Sequence, residues 1–249
     1  MIPENIQNIL IDNARLYETA EFINGDHSWF MHQVSGAENQ EVMAFVASVL
    51  SYGSRKQFMP KIEYILKLTA GAPDKWIREG LFERDFREDD NNCFYRLYTI
   101  NQMNTFFRVY RELLLEYGSL KEYVKHNAQT GLQAVEAICS YFANKGVSGV
   151  IPKDATSPCK RVCMFLRWMV RTGSPVDLGL WADIIDCRTL IIPMDTHVLQ
   201  QSFALGLLEN KTATMSTALR LTNRLAEVFP DDPLKGDFAL FGYGVNQDK

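Results

Sequence analysis

Apolar residues recur at helical spacing along most of the chain, and this periodicity restricts the fold more than any other feature of the sequence. In residues 101–117, for example, apolar side chains follow one another at intervals of three and four residues. That spacing places them on one face of an α-helix, whereas a half-buried strand would alternate with a period of two. No sustained alternation of that kind and no internal repeat is present. The sequence therefore predicts an all-α fold of about a dozen helices.

Composition limits the classes of protein to which the chain can belong. With 249 residues, 47% of them hydrophobic, it can bury a substantial core. The net charge of −4 argues against a surface uniformly coated with basic residues, although residues 153–171 carry five cations and one anion. Five cysteines without a C-x-x-C pair predict reduced thiols and a cytoplasmic protein. No signal peptide and no membrane-spanning run of about 20 apolar residues is expected.

Two helix starts are predicted within residues 157–207. Ser157 can cap the first helix, with Pro158 at its first position, where the missing N–H costs nothing. The second helix follows Pro193, and either Asp195 or Thr196 is placed to cap it. The residues of the sequence that are best suited to catalysis or ligand binding lie at these two helix starts.

Lys160 and Arg161 lie in the first turn of the first helix, where the helix dipole disfavours cations. A helix start with basic side chains suits a bound phosphate. Asp195 stands at the start of the second helix, so a lysine and a carboxylate could act together at a sugar carbon. The alternative is a solvated Lys-Arg pair and an ordinary Asp cap.

A longer motif surrounds Asp195. The sequence reads Pro193-Met194-Asp195-Thr196-His197-Val198, followed by Leu205-Gly206-Leu207. It resembles the P-x-D-T-H-V…L-G-L stretch of the helix-hairpin-helix (HhH-GPD) DNA glycosylase superfamily, in which the aspartate is the catalytic carboxylate. Lys160 falls where members with lyase activity carry their nucleophilic lysine. Its separation of 35 residues from Asp195 is most similar to that of the archaeal 8-oxoguanine glycosylase branch.

The chain also resembles, over nearly its full length, a bacterial family known as domain of unknown function 2400, which has no established activity. The matching phrases are Ala44–Gln57, Cys159–Arg171, Val176–Trp181, Leu190–Val198 and Asp232–Val245. Together the two resemblances imply a single glycosylase-like unit over residues 1–249. It would have two packed helical lobes with a cleft, lobe A at about 38–186 and lobe B at about 1–37 plus 187–249.

Two features depart from the glycosylase pattern. Ser157-Pro158-Cys159 replaces the glycine-rich hairpin turn, and Pro158 has no N–H to donate to a DNA phosphate. The C-terminal cysteine quartet of some members is also missing, because the last cysteine is Cys187. We therefore predict no iron–sulfur cluster, no metal site and no cofactor.

The resemblance implies a role for each candidate residue on double-stranded DNA with a damaged base. Lys160 would attack C1′ and form a Schiff base, while Asp195 would stabilise the positive charge that develops there. The candidate DNA-binding residues are Arg55, Lys56, Gln57, Lys153, Arg161 and His197, the first three as a possible wedge in the duplex. The aromatic residues that could stack on an extruded base are Phe165, Trp168, Trp181 and Phe241.

Other interpretations of these residues stay open. The aromatic residues also have the spacing of core positions, and His197 could simply satisfy its neighbours. The resemblance to the glycosylase superfamily thus implies a DNA glycosylase with possible AP-lyase activity. The alternatives are a catalytically inactive DNA-binding or scaffold protein of the same architecture, and a helical protein with no role in nucleic-acid binding.

Overall fold

The computed structural model describes residues 1–247, and the fold is mostly helical, as the periodicity predicts. In chain order, the α-helices are α1 (Glu4–Tyr17), α2 (Ala37–Leu50), α3 (Arg55–Thr69), α4 (Pro73–Arg78), α5 (Ile100–Tyr117), α6 (Leu120–Asn127), α7 (Gly131–Asn144), α8 (Lys160–Val170), α9 (Thr196–Ala204), α10 (Met215–Leu225) and α11 (Lys235–Gln247). Short 3-10 helices cover Ala20–Ile23, His27–His32, Leu81–Arg84 and Cys187–Thr189.

One short β-hairpin interrupts the helical pattern. Strand β1 (Cys93–Tyr95) pairs antiparallel with β2 (Tyr98–Thr99). Arg96 adopts a positive φ of 51° between the strands, which a tight reversal of the chain requires. The strands are too short to show a periodic pattern, so sequence periodicity could not reveal them.

The chain divides into two compact units. The first unit contains residues 1–26, 129–135 and those from 155 onward, and the second contains residues 27–128 and 136–154. The two units and the predicted lobes assign residues 27–37, 129–135 and 155–186 differently. Both helix starts that carry the candidate catalytic residues therefore lie in the first unit.

Helix α2 forms the centre of the second unit. Every residue from Glu41 to Leu50 is buried, which explains why this stretch is apolar apart from Glu41 and Ser48. Phe45 packs against the ring of Phe142 with a centroid distance of 5.5 Å. The buried Glu41 carboxylate accepts hydrogen bonds from the backbone N–H groups of Leu120 (2.9 Å) and Lys121 (3.2 Å), so it satisfies donors at the start of α6.

In the first unit, α1 packs along α11, and α8 is buried over most of its length. The ring of Phe22, in the 3-10 helix Ala20–Ile23, meets the ring of Phe238 in α11 edge to face. The backbone of Gly131, at the start of α7, approaches the backbone of residues 189–190 closely, and its N–H donates to Thr189 Oγ1 at 2.9 Å. This contact holds α7 against the segment that precedes α9.

Replacing Gly131 by alanine should destabilise the protein by about 1–3 kcal/mol. An added Cβ would overlap the carbonyl oxygen of Thr189 and lie 2.8 Å from Leu190 Cα, and backbone atoms cannot move aside as a flexible side chain can. Urea denaturation measures the change. Gly149→Ala is the control, because the nearest atom to its Cβ would be Gln102 Nε2 at 3.7 Å. Equal stability of the two variants would contradict the prediction.

Candidate functional site

Helix α8 begins at Lys160, two residues later than the sequence predicts. Cys159, rather than Ser157, occupies the N-cap position, with a left-handed backbone at φ 44° and ψ 39° and no side-chain capping hydrogen bond. The predicted helical position of Pro158 is therefore wrong. The first hydrogen bond of the helix runs from the Cys163 N–H to the Cys159 carbonyl at 3.0 Å. Lys160 is thus the first helical residue, directly after the left-handed Cys159.

Asp195 caps helix α9, which confirms one of the two capping residues that the sequence allows. The Val198 N–H donates to Asp195 Oδ1 at 2.9 Å. The other carboxylate oxygen, Oδ2, lies 3.1 Å from Lys160 Nζ. One oxygen therefore fixes the carboxylate on its helix, while the other holds the lysine amine.

The Lys160–Asp195 pair is accessible to a ligand. The two side chains are 31% and 37% exposed, respectively. Burial acts to raise the pKa of Asp195, but the charge of Lys160 and the Val198 hydrogen bond outweigh it, and the pKa lies below its usual value. Asp195 is consequently an anion at neutral pH, as a group that stabilises a developing cation must be.

A third helix start brings a second carboxylate to this region. Asp237 lies in the first turn of α11 and accepts a hydrogen bond from Arg167 Nη1. Burial raises the pKa of Asp237, and the negative charge of Asp195 adds to this effect, while Arg167 opposes it. Two neighbouring carboxylates therefore have pKa values shifted in opposite directions, which is a pattern found at acid–base sites. Nothing in the sequence distinguishes Asp237 from any other acidic residue in a first helical turn.

Buried ion pairs hold the C-terminal end of α8, where Arg167 and Arg171 lie. Arg167 Nε lies 3.3 Å from Asp177, whose side chain is completely buried. Arg171 bonds to the same Asp177 carboxylate, to Asp232 at 2.7 Å and to Glu18 at 2.6 Å. In the sequence, both arginines belong to the basic segment 153–171. Their carboxylate partners show that they are structural groups rather than part of a DNA-facing surface.

His197 is the second residue of α9 and packs against α11. A Cβ at Gly244 would overlap the His197 ring, so glycine is required for this approach. The half-buried His197 also lowers the pKa of Asp195 electrostatically, after the larger effects of burial, Lys160 and Val198. Its contact with a DNA phosphate stays a prediction.

The aromatic candidates occupy the helical core. Phe165, Trp168 and Trp181 are each 0% exposed, and the rings of Phe165 and Trp181 meet edge to face with centroids 5.1 Å apart. Phe241 is half-buried, with Phe22 at 5.1 Å. Stacking of Phe165, Trp168 or Trp181 on an extruded base would require these rings to move from their present positions.

The remaining candidates lie on the protein surface or next to Lys160. Arg161 is half-buried at the second position of α8. In the second unit, Arg55, Lys56 and Gln57 are all exposed in the first turn of α3, and Lys153 is exposed in the loop before residue 155. Their exposure is compatible with binding a polyanion, and their role in DNA binding stays a prediction.

Residues 1–247 contain no group of three or more His, Cys, Asp or Glu side chains that could hold a metal ion. Cys159 and Cys163 are both buried, and burial raises the pKa of the Cys163 thiol, so this thiol is protonated at neutral pH. In the part of the chain that the structure describes, no helix has the length and apolar character to cross a membrane.

The fold and the site define a mostly helical protein with an accessible lysine–aspartate pair at two helix starts. Residues 26–246 match the family described as "Protein of unknown function (DUF2400)", and the chain belongs to this family. Comparison with curated proteins and with solved structures gives no match.

Proposed function

We propose that the protein is a DNA base-excision glycosylase with AP-lyase activity and a helix-hairpin-helix glycosylase-like fold. The observation that carries the proposal is the 3.1 Å separation between Lys160 Nζ and Asp195 Oδ2. The motif around Asp195 resembles the glycosylase superfamily, and Lys160 has the position of its lyase nucleophile. The double-stranded DNA partner would carry a damaged base, and 8-oxoguanine is the first lesion to test because of the resemblance to the archaeal branch.

The proposed reaction uses both members of the pair. Asp195 takes a proton from the Lys160 ammonium group, and the neutral amine attacks C1′ of the flipped nucleotide. The C1′–N bond to the base breaks, its electron pair leaves with the base, and the base takes up the proton that Asp195 received from Lys160. Asp195 is ionised again once the base has taken this proton, and its negative charge stabilises the positive charge that develops at C1′ before the new C–N bond is complete. Opening of the sugar ring then gives a Schiff base, and loss of a C2′ proton expels the 3′ phosphate.

The alternative is a protein that binds DNA with the same architecture but without catalysis. The Ser157-Pro158-Cys159 turn favours it, because Pro158 has no N–H and Cys159 has the left-handed backbone described above. Phosphate binding by the hairpin in the usual manner of the superfamily would therefore lack a donor. The two functions differ in one observable, which is the covalent intermediate.

Borohydride should trap the wild-type protein covalently on duplex DNA that carries an abasic site or 8-oxoguanine, because it reduces a Schiff base to a stable amine. The adduct is measured by its slower migration in a denaturing gel. A mobility-shift assay across a salt series tests binding separately. The logarithm of the association constant should fall linearly with the logarithm of the salt concentration, because binding releases counterions from the phosphates. Salt-dependent binding without trapping would support the inactive alternative, and absence of both would contradict either role on DNA.

A further inference from the structure

A separate cavity of about 560 Å³ lies in the first unit, beyond the C-terminal end of α9. Its walls are residues 206–210 on one side and the face of α10 that carries Arg220, Asn223 and Arg224 on the other. The volume falls in the range of about 300–1,000 Å³ that small-molecule sites occupy. Neither Lys160 nor Asp195 lines this cavity.

The positive charge of α10 is concentrated on the wall of the cavity. Arg220 and Arg224 are four residues apart and therefore lie on the same helix face, where like charges repel each other. Arg224 is compensated by Glu227, with Nη1 2.6 Å from Oε1. Arg220 donates only to the Thr217 hydroxyl at 3.2 Å, and within residues 1–247 no carboxylate lies within 4 Å of it. The Arg220 side chain is exposed to solvent, so its guanidinium group is open to an anion that enters the cavity.

Neutral polar side chains of the cavity add hydrogen-bond donors to those of Arg220. Asn210 Oδ1 accepts a hydrogen bond from the Thr212 N–H at 3.2 Å, and this orients its amide so that the NH₂ group is left to donate. Asn223 adds a second amide. The Glu209 carboxylate is the one acidic group among the lining residues, and it forms no ion pair with Arg220. The cavity thus offers several donors for an anion and one strong acceptor for a hydroxyl or amino group.

We propose that this cavity binds a small organic phosphate, with its phosphate group on Arg220 and a hydroxyl or amino donor of the ligand on Glu209. Arginine suits the phosphate because its planar fork can form two parallel charge-assisted hydrogen bonds. The buried side chains of Leu207 and Leu208 provide apolar surface for the rest of the ligand. The proposal does not depend on the glycosylase function, since the cavity and the Lys160–Asp195 pair share no residue.

Isothermal titration calorimetry on the full chain tests this proposal with four probes: inorganic phosphate, adenosine monophosphate, guanosine monophosphate and adenosine. At least one monophosphate should bind more tightly than inorganic phosphate, and adenosine should bind at least tenfold more weakly than its monophosphate. Arg220→Gln should raise the Kd of the monophosphate about tenfold or more. The matched control is Arg15→Gln, which removes an exposed arginine from α1 and should leave the Kd unchanged.

Glu209→Gln tests the contact with the hydroxyl or amino group of the ligand independently of the phosphate contact. It should lower the preference for a nucleoside monophosphate over inorganic phosphate without weakening inorganic phosphate binding, because the phosphate does not contact the carboxylate. Equal binding of adenosine and its monophosphate would overturn the proposal, as would binding that Arg220→Gln leaves intact. Failure of both monophosphates to bind would also overturn it, and an accompanying loss of duplex affinity in Arg220→Gln would assign the arginine to the DNA backbone instead.

Discussion

Lys160→Gln should abolish borohydride trapping on abasic-site DNA. A glutamine amide cannot attack C1′ or form a Schiff base, whereas it fills nearly the same space as the lysine. The fold should be unaffected, because the lost ion pair with Asp195 is about one-third exposed, and such pairs contribute only about 0–1 kcal/mol. Trapping yield and urea denaturation, measured on the same preparation, distinguish loss of the nucleophile from loss of the fold.

The matched control for this substitution is Lys235→Gln, which removes an exposed lysine from the start of α11. This variant should be trapped as efficiently as the wild type. Equal trapping of wild type and Lys160→Gln would disprove the assignment of the nucleophile. If Lys160→Gln still binds abasic DNA but is not trapped, the lysine acts in the chemical step and not in binding.

Asp195→Asn completes the test of the pair. Asparagine is a good N-cap, so the hydrogen bond to the Val198 N–H can be kept and α9 should stay intact. It removes the negative charge and the proton acceptor, and a loss of about 10²–10³ in the rate of base removal is expected, as for other electrostatic groups in active sites. The rate is measured in single-turnover reactions. A rate within twofold of the wild type would exclude Asp195 from the reaction.

Asp177→Asn should cause the largest loss of stability among these variants, about 3–5 kcal/mol. The completely buried Asp177 carboxylate is bonded to both Arg167 and Arg171. A neutral amide cannot compensate the charges of two buried guanidinium groups. Its NH₂ group would also place hydrogens against the N–H donors of one of the two arginines. The removal of one partner from a buried ionic network leaves uncompensated charge, which is far more costly than the loss of an exposed pair.

Urea denaturation measures this effect, which should appear as a lower transition midpoint with an unchanged slope. Asp186→Asn is the control, because the Asp186–Arg188 pair is exposed (41% and 63%) and asparagine can still cap the 3-10 helix that follows. It should change the free energy of unfolding by less than about 1 kcal/mol. A similar small change for Asp177→Asn would show that the buried network contributes little to stability.

Features that depend on neighbouring residues could be predicted from the sequence. The Asp195 cap, for example, is formed by a side chain and an N–H only three residues apart, so the motif is sufficient to indicate it. The same holds for Ser119, which accepts a hydrogen bond from the Glu122 N–H at 3.0 Å. The helical character of the chain followed equally from the spacing of apolar residues, because burial on one face of a helix imposes that spacing locally.

Other features were decided by the tertiary structure, because they join residues that are distant along the chain. Arg171 and Glu18 are 153 residues apart, and nothing near either residue in the sequence indicates their contact. Likewise, the sequence placed Lys160 and Asp195 on two helix starts, but only the packing of those helices brought the amine and the carboxylate within 3.1 Å. The left-handed Cys159 backbone moved the start of α8 past Pro158, although the local sequence favoured an earlier start. Local hydrogen bonds set where helices such as α6 and α9 begin, while burial and charge compensation between distant segments determine which side chains meet.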